Sequence, residues 1–171
     1  LRGQIRRKEQ AQAWAKPDAA LEEYDYYLRG DRWFFRFSRE HTLKARQIYA
    51  EGLAKFPGST LLRIMISWTH VNMIELGWSD DPGADADAAW EFGAAARAAQ
   101  NKSPLESFLS RWQMAALHYF CHGDFDAAVA GARAAVKLVP FDPYTRGYLS
   151  YVLIGAGHIE EARLWLEESI P

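Results

Sequence analysis

The chain has 171 residues and a mass of 19.5 kDa, with 20 Lys and Arg against 22 Asp and Glu, 49% apolar residues and one cysteine. That balance excludes a disordered chain, a collagen-like polymer and a disulfide-framed miniprotein, and a net charge of -2 argues against a dedicated nucleic-acid binder. No apolar run reaches the roughly eighteen residues needed to span a bilayer, and Cys121 has no second cysteine to pair with, so a reducing, cytoplasmic compartment is expected.

Twenty-seven alanines against seventeen Val, Ile and Thr tilt the backbone toward helix, because alanine loses no side-chain entropy there. An all-α fold follows. Residues 1–18 read as a basic leading helix, with Arg2, Arg6, Arg7, Lys8 and Lys16 against Glu9. Ala11, Ala13 and Trp14 interleave with those cations as they would on a linker helix docked to the next element, and Lys16-Pro17-Asp18 breaks it. Residues 19–171 then divide into about four helix pairs, near 22–57, 58–104, 105–142 and 143–171. In the first, Gly30 and Trp33 take the small and aromatic positions of the leading helix, the turn is lengthened around Ser38 to Thr42, and Ala45, Tyr49, Gly52 and Pro57 close the pair. In the second, Ser67 and His70 are answered by Phe92, Ala96, Ala99 and Pro104, with surplus residues in an inserted turn, 77–87.

The third and fourth pairs repeat each other. Trp112-x2-Ala115-Ala116-x2-Tyr119, Gly123-Asp124-Phe125-Asp126-Ala127-Ala128, Ala132 and Ala135 recur thirty-four residues later as Leu149-Ser150-x2-Leu153, Gly157-His158-Ile159-Glu160-Glu161-Ala162, Leu166 and Ser169. Small residues at Ala116, Ala128 and Ala135 let two helices approach, Tyr119 and Phe125 fill the angle between them, and Gly123 and Gly157 make the turns. This resembles the tetratricopeptide (TPR) repeat, most closely over 109–142. The resemblance implies a right-handed α-solenoid, whose helix pairs stack because each alone buries one side only.

A longer run is similar to a particular family. Arg6-Arg7-x-Glu9 with Ala13 and Lys16-Pro17, then Tyr24-Asp25-Tyr26-Tyr27-Leu28-Arg29-Gly30, Ser67-Trp68-Thr69-His70 and Gly77-Trp78-Ser79-Asp80-Asp81-Pro82, resemble the C-terminal TPR region of bacterial class III adenylate/guanylate cyclases. In that family the cyclising chemistry sits in a separate α/β domain with metal-binding aspartates, and nothing here resembles that domain. The resemblance therefore implies a non-catalytic regulatory or partner-binding region of a signalling protein, without a cofactor.

The inward positions of each leading helix in such repeats fall here on Tyr24, Tyr27, Phe34 and Phe35; on Ile64, Met65, Trp68, Val71 and Asn72; on Gln113, Met114, Leu117 and Phe120; and on Tyr148 and Tyr151. A surface of this composition suits an amphipathic helix or apolar peptide, the parent chain's own other domains being one source, since aromatic and methionine anchors dominate such interfaces. Apolar stripes at helical spacing also seal one repeat against the next. A metal-binding sensor or enzyme is the alternative, because His118 and His122 stand one turn apart with Cys121 and Asp124 beside them, but no second ligand cluster is visible. The aspartates at 80, 81, 85 and 87 lack the glycine and closing glutamate of a calcium loop and read as helix-starting acids, with Asp81 before Pro82. Beside Trp78 they also offer a contact for a basic segment. Ser150 and His158 have no nucleophile elbow or paired carboxylate around them, which argues against an enzyme. Leu164, Trp165 and Ile170 near the end of the chain leave room for a structural, homodimeric role.

Overall fold

The computed structural model describes residues 2–100 and 102–167, with side chains from residue 8 onward apart from Tyr144. Among the described residues all regular structure is helical: α1 (Arg2–Ala15), α2 (Glu23–Phe34), α3 (Arg39–Lys55), α4 (Thr60–Glu75), α5 (Pro82–Ala98), α6 (Pro104–Leu117), α7 (Phe125–Val136), α8 (Pro143–Gly155) and α9 (Ile159–Glu167). A 3-10 turn, Asp18–Ala20, follows α1, and one π turn, His118–His122, continues α6.

Helix starts are set by short polar side chains that accept a bond from an otherwise orphaned backbone N–H. Ser38 accepts from His41, Ser59 from Leu62, Asp81 from Ala84, Ser103 from Glu106, Asp124 from Ala127 and Asp142 from Thr145, at 2.8–3.3 Å. At Ser103 the box is reciprocal, because Glu106 accepts from the Ser103 N–H at 2.8 Å, and Pro104 supplies the first helical residue. Helix ends are equally local. Gly77, Gly123 and Gly157 adopt left-handed backbone (φ 67°, 64° and 83°), which lets the next N–H return to a carbonyl of the last turn. Lys102 donates to the carbonyls of Arg97 and Ala99, both at 2.7 Å, so the cation before Pro104 serves the end of α5.

The stretch 77–87 is only partly a turn. Pro82 opens α5, and the surplus residues lengthen that helix to 17. Similarly, the α2–α3 turn is confined to Phe35–Ser38, with Phe37 in the left-handed region (φ 47°), while Thr42 is already buried in α3.

The chain forms two compact units, divided at Phe92/Gly93 inside α5. In the first unit, α2, α3 and α4 pack through missing side chains. A Cβ on Gly30 would lie 2.1 Å from the Tyr49 ring, and one on Gly52 would lie 2.7 Å from Tyr26. Tyr49, Leu62, Ile64 and Val71 are fully buried around these contacts. The leading helix is docked on α2. Arg29 donates to the Ala13 and Lys16 carbonyls at 3.0 and 2.7 Å and to Asp18 at 2.7 Å, Lys16 pairs with Asp25 at 2.7 Å, and Gln10 donates to the buried Asp31 at 3.0 Å.

The second unit has its own core of Ala115, Ala128, Val129, Ala132, Val136, Leu149, Val152, Leu153 and Ala162. Alanines dominate on α7, so α6 and α7 approach until a Cβ on Gly131 would stand 3.2 Å from that of Ala115. Gly93 is tolerated inside α5 for the same reason: its missing Cβ is replaced by Leu117 and Gln113, both within 2.8 Å of where it would be. No described helix is long and apolar enough to cross a membrane.

Candidate functional site

The inward-facing residues divide by burial. In the first unit Tyr27, Phe34, Met65, Trp68 and Asn72 are buried, as are Ile64 and Val71, while Tyr24 and Phe35 remain exposed at 45% and 48%. Tyr24 packs on Tyr27 (ring centroids 5.4 Å apart), and Phe35 stands edge-on between Phe34 and Phe37. In the second unit Gln113 and Leu117 are fully buried, Met114, Phe120 and Tyr148 are half-buried, and Tyr151 is 43% exposed.

Those second-unit rings are joined by others that the repeat register did not single out as surface. Phe108 packs on Trp112 at 5.5 Å and Trp112 stands edge-on to Tyr148 at 5.3 Å. Tyr148 stacks on Tyr151 (6.3 Å, 24°), and Tyr151 stacks on Phe120 (6.1 Å, 27°) and lies 5.5 Å from Tyr119, which meets Phe125 edge-on at 5.2 Å. The result is an unbroken array of seven rings, drawn from α6, the π turn, the start of α7 and α8. Offset stacks and edge-on pairs of this kind hold rings in place without a polar framework. Trp112 was legible in the sequence as a repeat position, but its partnership with Tyr148, thirty-six residues away, depends on how α6 and α8 pack.

The π turn brings His118 and His122 to a ring separation of 6.3 Å and places His118 Nδ1 3.7 Å from Asp124. Cys121 is half-buried in the same turn. Among the described residues no three His, Cys, Asp or Glu side chains come together in a way that could hold a metal ion.

The aspartates of 80–87 take separate roles. Asp81 caps α5, Asp80 pairs with Arg39, and Asp85 turns inward. Asp85 accepts from Ser79 Oγ and from His70 Nδ1, both at 2.5 Å, with Arg46 at 3.5 Å; Arg46 also donates to Thr69 at 2.9 Å. Burial alone would raise the Asp85 carboxyl, yet the Ser79 and His70 donors and the Arg46 charge hold it below the usual carboxylate range. Burial pushes the His70 imidazole down, against the pull of Asp85. The carboxylate sits between the hydroxyl and the imidazole, so His70 does not touch Ser79 Oγ and this trio does not activate a nucleophile. Ser150 is likewise occupied: it is fully buried and donates to the Arg146 carbonyl at 3.0 Å.

No protein family matches the chain, and no curated protein matches it by sequence. In three dimensions it is similar to the solved structure "MamA MSR-1 C2", of a TPR-containing protein, with a TM-score of 0.53 at 15% identity, covering 96% of this chain and 91% of that one. That likeness bears on fold alone, and the fold is an all-α solenoid of TPR-like helices.

Proposed function

We propose that the chain is a non-catalytic protein-interaction module, and that the ring array of its second unit is the surface that takes an amphipathic helix or apolar peptide. The observation that carries this reading is the continuity of the seven rings together with their partial exposure, since a purely sealing layer has no reason to leave Tyr151 and Phe125 more than 40% open. Rings fixed by one another present apolar area at little entropic cost on binding. In the first unit Tyr24 and Phe35 offer a smaller exposed pair, while Trp68 is buried and serves the core.

The test is titration of amphipathic helical peptides into the intact chain and into Phe120→Ala and Tyr151→Ala, with circular dichroism as the folding control. Loss of about tenfold or more in affinity in either variant supports the array as the anchor. Unchanged affinity in both folded variants removes it.

The similarity of Tyr24–Gly30 and Gly77–Pro82 to cyclase C-terminal regions supports a regulatory task inside a bacterial signalling protein. Recovery of the full reading frame tests this, because a cyclase catalytic domain upstream supports that context and its absence refutes it. Self-association through α9 is favoured by the exposure of Ile159 and Leu164, at 55% and 54%; Ile170 lies outside the described residues. Sedimentation decides it, a strict monomer at high concentration refuting the dimer.

A further inference from the structure

Between residues 29 and 47 the chain carries Arg29, Arg32, Arg36, Arg39, Lys44 and Arg46 against only Asp31 and Glu40. Three of these cations are matched, Arg29 by Asp18, Arg39 by Asp80 and Arg46 by Asp85. Arg32, Arg36 and Lys44 are exposed and have no carboxylate within ion-pair distance among the described residues.

Two of these three lie over one aromatic cluster, and Lys44 lines the cavity beside it. The Arg32 guanidinium lies 5.1 Å from the Trp14 ring, Trp14 meets Trp33 edge-on at 6.5 Å, and the Arg36 guanidinium lies 4.6 Å from Trp33. His41 stacks on Trp33 at 5.3 Å. Beside this stack is a cavity of about 340 Å³, lined by Trp33, Glu40, His41, Leu43, Lys44 and Gln47. Leu43 is 39% exposed and gives the cavity an apolar wall; Lys44 is the cation of its lining and Glu40 the carboxylate, with Arg36 reaching it over the Trp33 ring. Its volume accommodates one large side chain, at the lower end of the range for small-ligand sites.

We propose that this cavity is a second docking site, on α2 and α3, for a short acidic peptide segment that inserts one apolar side chain beside Leu43 and sets carboxylates against Lys44 and Arg36. Charge complementarity carries the choice of occupant, because three exposed cations without a carboxylate partner attract carboxylates, and two of them, Arg32 and Arg36, are held in place over the Trp14 and Trp33 rings. The segment is short. A nucleic acid or an anionic membrane presents a longer run of negative charge than three cations match, and the first unit also exposes the carboxylates of Asp81 and Asp87, whereas a peptide of a few residues needs only the cavity. The cavity lies within the first unit and shares no residue with the ring array of the second, so the two sites are independent.

The experiment is fluorescence-anisotropy titration of the intact chain with a labelled peptide of four acidic residues around one phenylalanine, beside its amide counterpart, a DNA duplex and phosphatidylserine vesicles. Binding is expected for the acidic peptide alone. It should weaken about tenfold or more in Arg36→Glu and in Lys44→Glu, stay unchanged in the exposed second-unit control Lys137→Glu, and fall with added salt. Circular dichroism checks that each variant is folded. Absence of binding, equal binding of the amide peptide, or loss of binding in Lys137→Glu comparable to that in Lys44→Glu overturns the proposal. Preferential capture of duplex or vesicles through Arg36 and Lys44 also overturns it, in favour of a polyanion site.

Discussion

Asp85 shows how one side chain can tie several segments together. It gathers a hydroxyl from the α4–α5 turn, an imidazole from α4 and a guanidinium from α3. Asp85→Asn keeps the shape but removes the charge that compensates the half-buried Arg46, whose guanidinium burial already disfavours. The expected cost is about 1–3 kcal/mol in denaturant unfolding. The pH dependence follows from the two shifts. A carboxyl held below its unfolded value of about 4 contributes fully above that pH and loses its contribution as pH falls through the folded value. An imidazole pushed below its unfolded value of about 6.5 is protonated more readily in the unfolded chain, so its share of stability is full above that pH and lost as pH falls. Both groups thus weaken the protein in acid, and His70 acts first. Thermal unfolding should show a decline in Tm as pH drops below about 6.5, and His70→Asn, which retains a donor toward Asp85 but does not titrate, should flatten it. A decline of equal size in the variant would remove His70 as its source.

At the scale of elements, the packing of α2 on α3 depends on an absence. A methyl group at Gly30 would stand 2.1 Å from the ring of Tyr49, which is fully buried and has nowhere to retreat. Gly30→Ala gains about 1 kcal/mol of helix propensity but introduces overpacking worth about 1–3 kcal/mol, and a contact this short places it at the upper end. Net destabilisation is expected in chemical denaturation, and Tyr49→Leu in the same chain should recover part of it; additivity of the two changes would refute the close-approach account. A second element-scale expectation concerns α1. Arg29→Ala removes the donor that holds the Ala13 and Lys16 carbonyls, so hydrogen exchange should quicken in α1 and leave α3 and α4 unchanged. Elements of this kind were readable in advance because their signals are local: Gly123 and Gly157 turn the chain wherever they sit, and Ser103-Pro104 opens a helix by its own chemistry. Side-chain roles were less readable. Asp81 and Asp85 look alike in sequence, and only the arrival of His70 and Arg46 from other helices separates a cap from a buried anchor. Tyr27 and Trp68 occupy the same repeat positions as exposed residues, yet neighbouring helices cover them. The π turn at His118–His122, which sets where Phe120 stands in the ring array, has no sequence signature that helical periodicity reveals.

On the scale of the whole molecule, the two units have different cores built by the same rule. The first relies on large side chains set against glycine, Tyr49 on Gly30 and Tyr26 on Gly52. The second relies on alanines on α7 with Leu149, Val152 and Leu153 of α8. Repeat scaffolds draw stability from within each pair and from adjacent pairs, so local opening need not involve the entire chain. Leu153 is fully buried in the second core, and Leu153→Ala should cost about 2–5 kcal/mol through lost burial and the cavity left behind. Native-state hydrogen exchange then reads where that cost falls. Amides of α6 to α9 should lose protection together, while those of α2 to α4, whose core contains none of the same residues, keep theirs. Equal loss of protection in α2 to α4 would mean that the chain opens as a single cooperative body.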